Sequence, residues 1–241
     1  MGLFDKQISG IRDYIAKRNN DDRIIELPYL PDCSWPSGEG SNVVLVKDTA
    51  VELGNPKNES VSFLLWSDRP ESVNDSTISV IGPDLKSCTG KSIPFGKAVI
   101  VGGRNFNADN SYDRYREMEV LRYDIDLKGY MMRGVSQYMR EWSRVSYDAI
   151  DKGFSLGILG SSLIDRFRKL DYVDSVEVVF VTGESEDVRE LKKTSGEVMN
   201  IISAMNKMFS EMSFECNTCE YQPVCDEVSE LKDMRERLHE G

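Results

Sequence analysis

The chain has 241 residues, 40% of them hydrophobic and 29% charged, with a formal net charge of -11. That size and balance suit one large or two small globular domains and argue against global disorder. The acidic balance and the absence of a basic block exclude a typical nucleic-acid-binding surface, and no apolar run reaches the roughly 20 residues of a membrane span.

The first stretch, "MGLFDKQISGIRDYIAKRNN", spaces Leu3, Phe4, Ile8, Ile11 and Ile15 as one face of a docking helix. It carries no long apolar segment of the kind a signal peptide needs, so a cytoplasmic protein is expected. "LPYLPDCSWPSGEGSN" is rich in Pro, Gly and Ser and predicts an irregular connection to about residue 42. Residues 1–41 are therefore an N-terminal helix with a linker. Four apolar, β-branched runs bounded by turn residues then predict strands: "NVVLVKDTAVELG", "SVSFLLWSD", "STISVIGPDL" and "GKAVIVGGRNF". Asp84, after Gly82 and Pro83, is expected to hold a turn. The glycines of "VGGRNF" fall short of a phosphate-loop motif and predict a tight turn.

From Ser111 to about Arg140 the apolar residues Tyr115, Met118, Leu121, Ile125, Leu127, Met131, Val135, Tyr138 and Met139 keep roughly a 3.6 period, predicting one long helix. A strand or tight segment, a short helix and a further helix are expected over residues 141–170, then the strand "SVEVVFVTG". A helix opens at Ser185, with Glu186 and Asp187 suited to its N-terminal dipole. "EVSELKDMRERLHEG" closes the chain as a charged helix. Together these predict an α/β fold, a mixed sheet with flanking helices over 42–212, followed by a small cysteine-rich loop and helix over 213–241.

Three of the five cysteines fall within ten residues, "CNTCEYQPVC". An odd total without regular spacing is not a disulfide framework. Cys216, Cys219 and Cys225, in the pattern C-x2-C-x5-C, let soft thiolates converge on one metal centre. A 4Fe-4S cluster fits this pattern better than zinc, the alternative, because a structural zinc site wants a second ligand pair and the one histidine, His239, is near the end. The fourth ligand is open: Cys33, Cys88, an oxygen ligand such as Asp226, a partner's residue, or an open iron. A lone histidine also leaves no Ser-His-Asp or Cys-His catalytic arrangement.

"VELGNPK", "STISVIGPDLKSCTGKSIPFGKAVIVGG", "WSRVSYDAIDKGFSLGILGSSL" and "SVEVVFVTGESEDVREL", in that order and followed by the thiols, resemble acetyl-CoA synthase. That family is the β subunit of the carbon monoxide dehydrogenase/acetyl-CoA synthase complex, and the resemblance runs from about residue 42 to 225. It implies a fold like that enzyme's middle domain, and a 4Fe-4S cluster at Cys216, Cys219 and the plausible third position Cys225. The family's gap before the third cysteine is longer. The Cys-Gly-Cys that chelates the distal nickel in the family is absent from this sequence, so no nickel and no carbonyl–methyl condensation are expected. The resemblance also places Arg140, Trp142 and Arg144, expected on a helix, in a region contributing to coenzyme A and partner contacts, so these are candidates for binding an acidic cofactor. The expected role is that of an electron-transfer, scaffold or accessory subunit of anaerobic one-carbon or corrinoid metabolism. Its partners would be other subunits of such a complex, an electron carrier or a second copy. An enzyme with an open cluster iron and a zinc-stabilised binding module are the alternatives.

Overall fold

A computed structural model of the chain describes residues 2–19, 23–32, 47–55, 57–88, 90–107, 109–122, 131–136, 139–210 and 219–240. In chain order the elements are α1 (Asp5–Asn19), β1 (Ile24–Leu27), β2 (Ala50–Leu53), β3 (Ser60–Ser67), β4 (Thr77–Ile81), β5 (Ser92–Ile93), β6 (Phe95–Gly103), α2 (Ser111–Leu121), β7 (Met131–Ser136), β8 (Arg140–Ser146), α3 (Tyr147–Asp151), α4 (Leu156–Phe167), β9 (Val173–Val181), α5 (Ser185–Ser210), α6 (Gln222–Glu227) and α7 (Ser229–Glu240).

The strands form two mixed sheets where the sequence predicted one. The larger has the order β1-β4-β9-β6-β3, with β4 and β9 parallel, β6 and β3 parallel, and the other pairs antiparallel. The smaller has the order β5-β2-β8-β7. β3 and β6 are buried along their whole length, which is why they read in the sequence as unbroken apolar runs rather than alternations. α4 packs on β4 and β9, α5 on β3 and β6, and α1 against α5. The smaller sheet meets the larger through β8, which crosses onto β3 and β6. Close contact between layers needs small residues: a Cβ on Gly160 of α4 would lie 2.9 Å from the Ile78 side chain on β4.

The turn after β4 ties two helices together. Gly82 takes φ +113, and a Cβ there would sit 2.4 Å from the Gly183 nitrogen after β9, so only glycine fits. Asp84, expected to hold a turn, does so in a specific way. Its Oδ1 accepts from the Leu85 amide at 2.7 Å and from the Leu156 amide at the start of α4 at 2.9 Å. One carboxylate thus caps a short 3₁₀ turn and a helix brought together from 72 residues apart. The variant Asp84→Ala should lose about 1–2 kcal/mol in urea denaturation, since two amides lose their acceptor at once.

Three sequence expectations need correction. The long helix from Ser111 to Arg140 is not formed: α2 ends at Leu121, and Met131–Ser136 and Arg140–Ser146 are paired antiparallel strands. The 3.6 count was carried across residues 123–130, outside the described residues, and Gly134 weakens a helix there. In β8 the period is 2, with Glu141, Ser143 and Val145 buried and their even-numbered neighbours turned outward. Arg140, Trp142 and Arg144 therefore lie on a strand, not a helix. Finally, the connection after α1 contains a strand, β1, which extends the larger sheet through antiparallel pairing with β4. Four residues are too few to show a periodic pattern. In the predicted strand over 42–54, residues 50–53 are a strand, and residues 42–46 lie outside the described residues.

Candidate functional site

The cysteine segment begins after the 26-residue helix α5. Cys216 and Cys33 lie outside the described residues. Cys219 is half-buried in the turn before α6, and its carbonyl accepts from the Gln222 amide at 3.1 Å. Pro223 occupies the first turn of α6, where its missing N–H is no loss. Cys225, within that helix, is 4% exposed and packs with Leu231 and Met234 of α7 into the main core. Both sulfur-bearing residues line one small cavity, together with Lys207 and Met208 of α5, Tyr221, and Arg235 of α7. Lys207 lies over the Tyr221 ring, 6.0 Å from its centroid. Arg235 donates to Asp226 at 3.0 Å. Cys219 and Cys225 thus line one cavity of about 20 Å³, with Lys207 and the Asp226-paired Arg235 on its wall.

Cys88 is elsewhere. It ends the short 3₁₀ turn Leu85–Cys88 that packs against α3, and it does not line this cavity. Its thiol donates to the Asp84 carbonyl at 3.6 Å, and burial pushes its pKa up. A buried thiol held in its neutral form is a core residue in this setting. Among the described residues no three His, Cys, Asp or Glu side chains come together as a metal site.

The outward face of β8 forms a second constellation around Glu52 of β2, 5% exposed. Glu52 Oε1 accepts from Trp142 Nε1 at 3.2 Å and from Arg144 Nε and an Arg144 terminal nitrogen at 3.0 and 2.9 Å. Its Oε2 accepts from Asn55 at 2.8 Å and Ser92 at 3.1 Å. Burial opposes ionisation here, but the bonds from Asn55, Arg144, Ser92 and Trp142 outweigh it and hold the carboxyl below its usual range. Arg144 stacks over the Trp142 ring at 5.0 Å. The charge of Arg144 is thus engaged within the chain, whereas Arg140 is exposed at the start of the strand. The variant Glu52→Ala should release Trp142 and Arg144, seen as a red shift of the tryptophan emission and a stability loss of about 2–3 kcal/mol.

On the opposite, buried face of the same strand lies a feature that sequence analysis missed. Lys97 of β6 and Glu141 of β8 form an ion pair with neither side chain exposed. Ser62 donates to Glu141 Oε2 at 3.0 Å and Ser143 to Oε1 at 3.2 Å. Ser60 Oγ both donates to the Glu141 carbonyl, at 2.5 Å, and accepts from its amide, at 3.0 Å. Arg122, at the end of α2, reaches Ser62 at 3.4 Å and pairs with Glu119. This network stitches the two sheets together. The signal available in the sequence is a lysine inside "GKAVIVGG", a strand otherwise free of charge.

Two mixed sheets with helices on the larger one, joined by a buried ion pair and followed by a two-cysteine cavity at the end of a long helix, define an α/β domain with an appended cysteine-bearing segment. Residues 35–188 match the model of the CO dehydrogenase/acetyl-CoA synthase complex beta subunit family, and the chain belongs to that family. It is 27% identical over 177 residues to acetyl-CoA decarbonylase/synthase complex subunit beta 1 of Methanosarcina mazei, covering 70% of this chain and 36% of that protein. It is 29% identical over 163 residues to the corresponding beta subunit of Methanopyrus kandleri, covering 66% and 34%. Against the carbon monoxide dehydrogenase/acetyl-CoA synthase subunit alpha of Moorella thermoacetica it is 31% identical over 172 residues, covering 70% and 22%. The chain thus spans about a third or less of the length of these curated relatives. The family match takes in Glu52, Lys97, Glu141, Trp142 and Arg144 and ends before Cys216, Cys219 and Cys225. Among the described residues no helix is long and apolar enough to cross a membrane.

Proposed function

We propose that this chain is a 4Fe-4S protein of anaerobic one-carbon or corrinoid metabolism, serving as an electron-transfer, scaffold or accessory subunit. Cys216, Cys219 and Cys225 would hold the cluster. The observation that carries this is the shared cavity of Cys219 and Cys225 with Lys207 and Arg235 on its wall. Thiolates are the usual donors to iron–sulfur clusters, which bound there would supply one-electron chemistry. Lys207 would offset part of the negative charge of the thiolates, with Arg235 shared between them and Asp226, and the core packing of Cys225 fixes its position. Membership of a family whose relatives are named as subunits of multi-subunit complexes supports a partner of that kind, another complex subunit or an electron carrier. The acetyl-CoA synthesis of such complexes is not assigned to these 241 residues, which lack a Cys-Gly-Cys.

The test is anaerobic reconstitution with iron and sulfide, followed by absorption near 400 nm and EPR after reduction. A brown protein whose absorption bleaches on reduction supports the proposal. A colourless protein with stoichiometric zinc would make it a zinc-stabilised binding module instead. A spectrum perturbed by small ligands would point to an open iron and an enzyme. The variants Lys207→Met and Arg235→Met should each lower the reduction potential, because each removes a positive charge beside the thiolates.

The exposed Arg140 beside the stacked Trp142–Arg144 pair favours a second, separate assignment, the docking of an acidic cofactor along β8. Quenching of Trp142 emission on titration with a phosphate-bearing cofactor, lost in Arg140→Ala, is the expected result.

A further inference from the structure

β3 begins where three cations converge on one carboxylate. Glu59 precedes the strand and lies beside β8, because Ser60 Oγ both donates to the Glu141 carbonyl at 2.5 Å and accepts from its amide at 3.0 Å. That contact brings Arg140, the residue before Glu141, to the same end. Arg140 is exposed and forms no ion pair among the described residues. From the other side, Lys192 of α5 donates to Glu59 at 2.6 Å. Arg189, three residues earlier, shares that face of the helix. The bond from Lys192, then the charges of Lys192, Arg189 and Arg140, hold the Glu59 carboxyl below its usual range against its burial. The acids facing the group are Glu59 itself and Glu186, which stands 3.4 Å from Arg189. Both members of that second pair are more than half exposed, so it is weak. Three cations against two carboxylates make a local excess of positive charge on a chain whose net charge is -11.

We infer that this end of β3, with Arg140 of β8 and Arg189 and Lys192 of α5 around it, docks an acidic surface of another protein subunit. The inference rests on the reading of this chain as a complex subunit and adds the chemistry of the partner. The cations come from two separate elements and are open to water, with 54% of the Arg189 side chain and 37% of the Lys192 side chain exposed. A small anion is instead held in a concave site that buries most of its surface. A chain this acidic repels an acidic partner over much of its surface, so one cationic patch fixes the orientation of approach. The position also selects an assembly partner over an electron carrier. Arg189 and Lys207 are separated by about 27 Å of helix, so a partner seated here stands away from the thiols.

The experiment is the binding of a short fluorescein-labelled poly-L-glutamate to the full chain, read by anisotropy. Binding should appear in low salt and weaken as salt rises. Arg140→Gln, Arg189→Gln and Lys192→Gln should each weaken it about two- to fivefold, the range of single exposed charges. Glu59→Gln should tighten it. Arg104→Gln, which removes an exposed cation beyond the far end of β6, should leave it unchanged. No binding to the wild type, equal weakening by Arg104→Gln, or wild-type affinity in Arg140→Gln and Arg189→Gln would overturn the inference. Inorganic pyrophosphate bound more tightly than the polymer by the same residues would also overturn it, in favour of a small-anion site. The measurement needs no iron, so this surface and the cluster fail separately. A co-purifying subunit that survives the double variant Arg140→Gln with Arg189→Gln would overturn the surface and leave the subunit reading standing.

Discussion

Replacing Lys97 by methionine should cost about 3–5 kcal/mol of stability, the largest loss expected from any single substitution away from the apolar core. The cause is the carboxylate left behind. Glu141 has no exposed side-chain surface, and without the ammonium its charge loses its ion pair and is left to hydrogen bonds such as those from the Ser62 and Ser143 hydroxyls. The mirror variant Glu141→Gln should be as costly, since it takes the carboxylate away from the buried Lys97 ammonium. The double variant Lys97→Met with Glu141→Gln removes both charges while keeping an acceptor for Ser62, so it should recover about 1–3 kcal/mol of either loss. Guanidinium denaturation of the four proteins measures the coupling directly. Additive losses would mean that the pair does not hold the sheets together. Because β8 presents Glu141 inward and Trp142 with Arg144 outward, breaking the pair should also shift the Trp142 emission.

The second large effect concerns the thiols. In protein prepared without oxygen, Cys219→Ser and Cys225→Ser should each reduce bound iron from about four per chain to below about one. The two differ in stability. Cys219 is half-buried at the surface, so its replacement leaves the unloaded fold intact, while Cys225 lies in the core and its hydroxyl replacement should cost about 1–3 kcal/mol. Cys88→Ser should keep the iron, because that thiol donates to the Asp84 carbonyl away from the cavity. Loss of iron in Cys33→Ser would identify Cys33 as the fourth ligand. Full retention would leave that position to an oxygen ligand, a partner's residue or solvent.

Much of the fold was legible because its strands are extreme cases. β3, β6 and β9 are buried along nearly all their length, so their apolar runs are long and β-branched and admit no helical period. α5 was legible for the opposite reason: a helix with one covered face shows its period plainly. The smaller sheet was legible only in part: β2 falls within a predicted strand, but β7 and the start of β8 were read into a long helix. Two of the three inward residues of β8 are Glu141 and Ser143, which look like a solvent face until Lys97, Ser60 and Ser62 arrive from distant parts of the chain to satisfy them. The same holds for Glu52, whose donors Asn55, Ser92, Trp142 and Arg144 come from three separate segments. Charged residues are surface residues by default, and only the fold makes these exceptions. The thiols could be picked out by spacing alone, but their cationic neighbours Lys207 and Arg235, on separate helices, could not. The order of motifs around "VELGNPK" and "VIGPDL" pointed to the family that residues 35–188 match.

The most direct measurement is the iron, acid-labile sulfide, zinc and nickel content per chain of protein purified without oxygen. About four irons and four sulfides with no nickel is the predicted result. Stoichiometric zinc without sulfide, or no metal at all, would contradict the cluster, and nickel alongside iron would contradict the separation of this chain from acetyl-CoA synthesis.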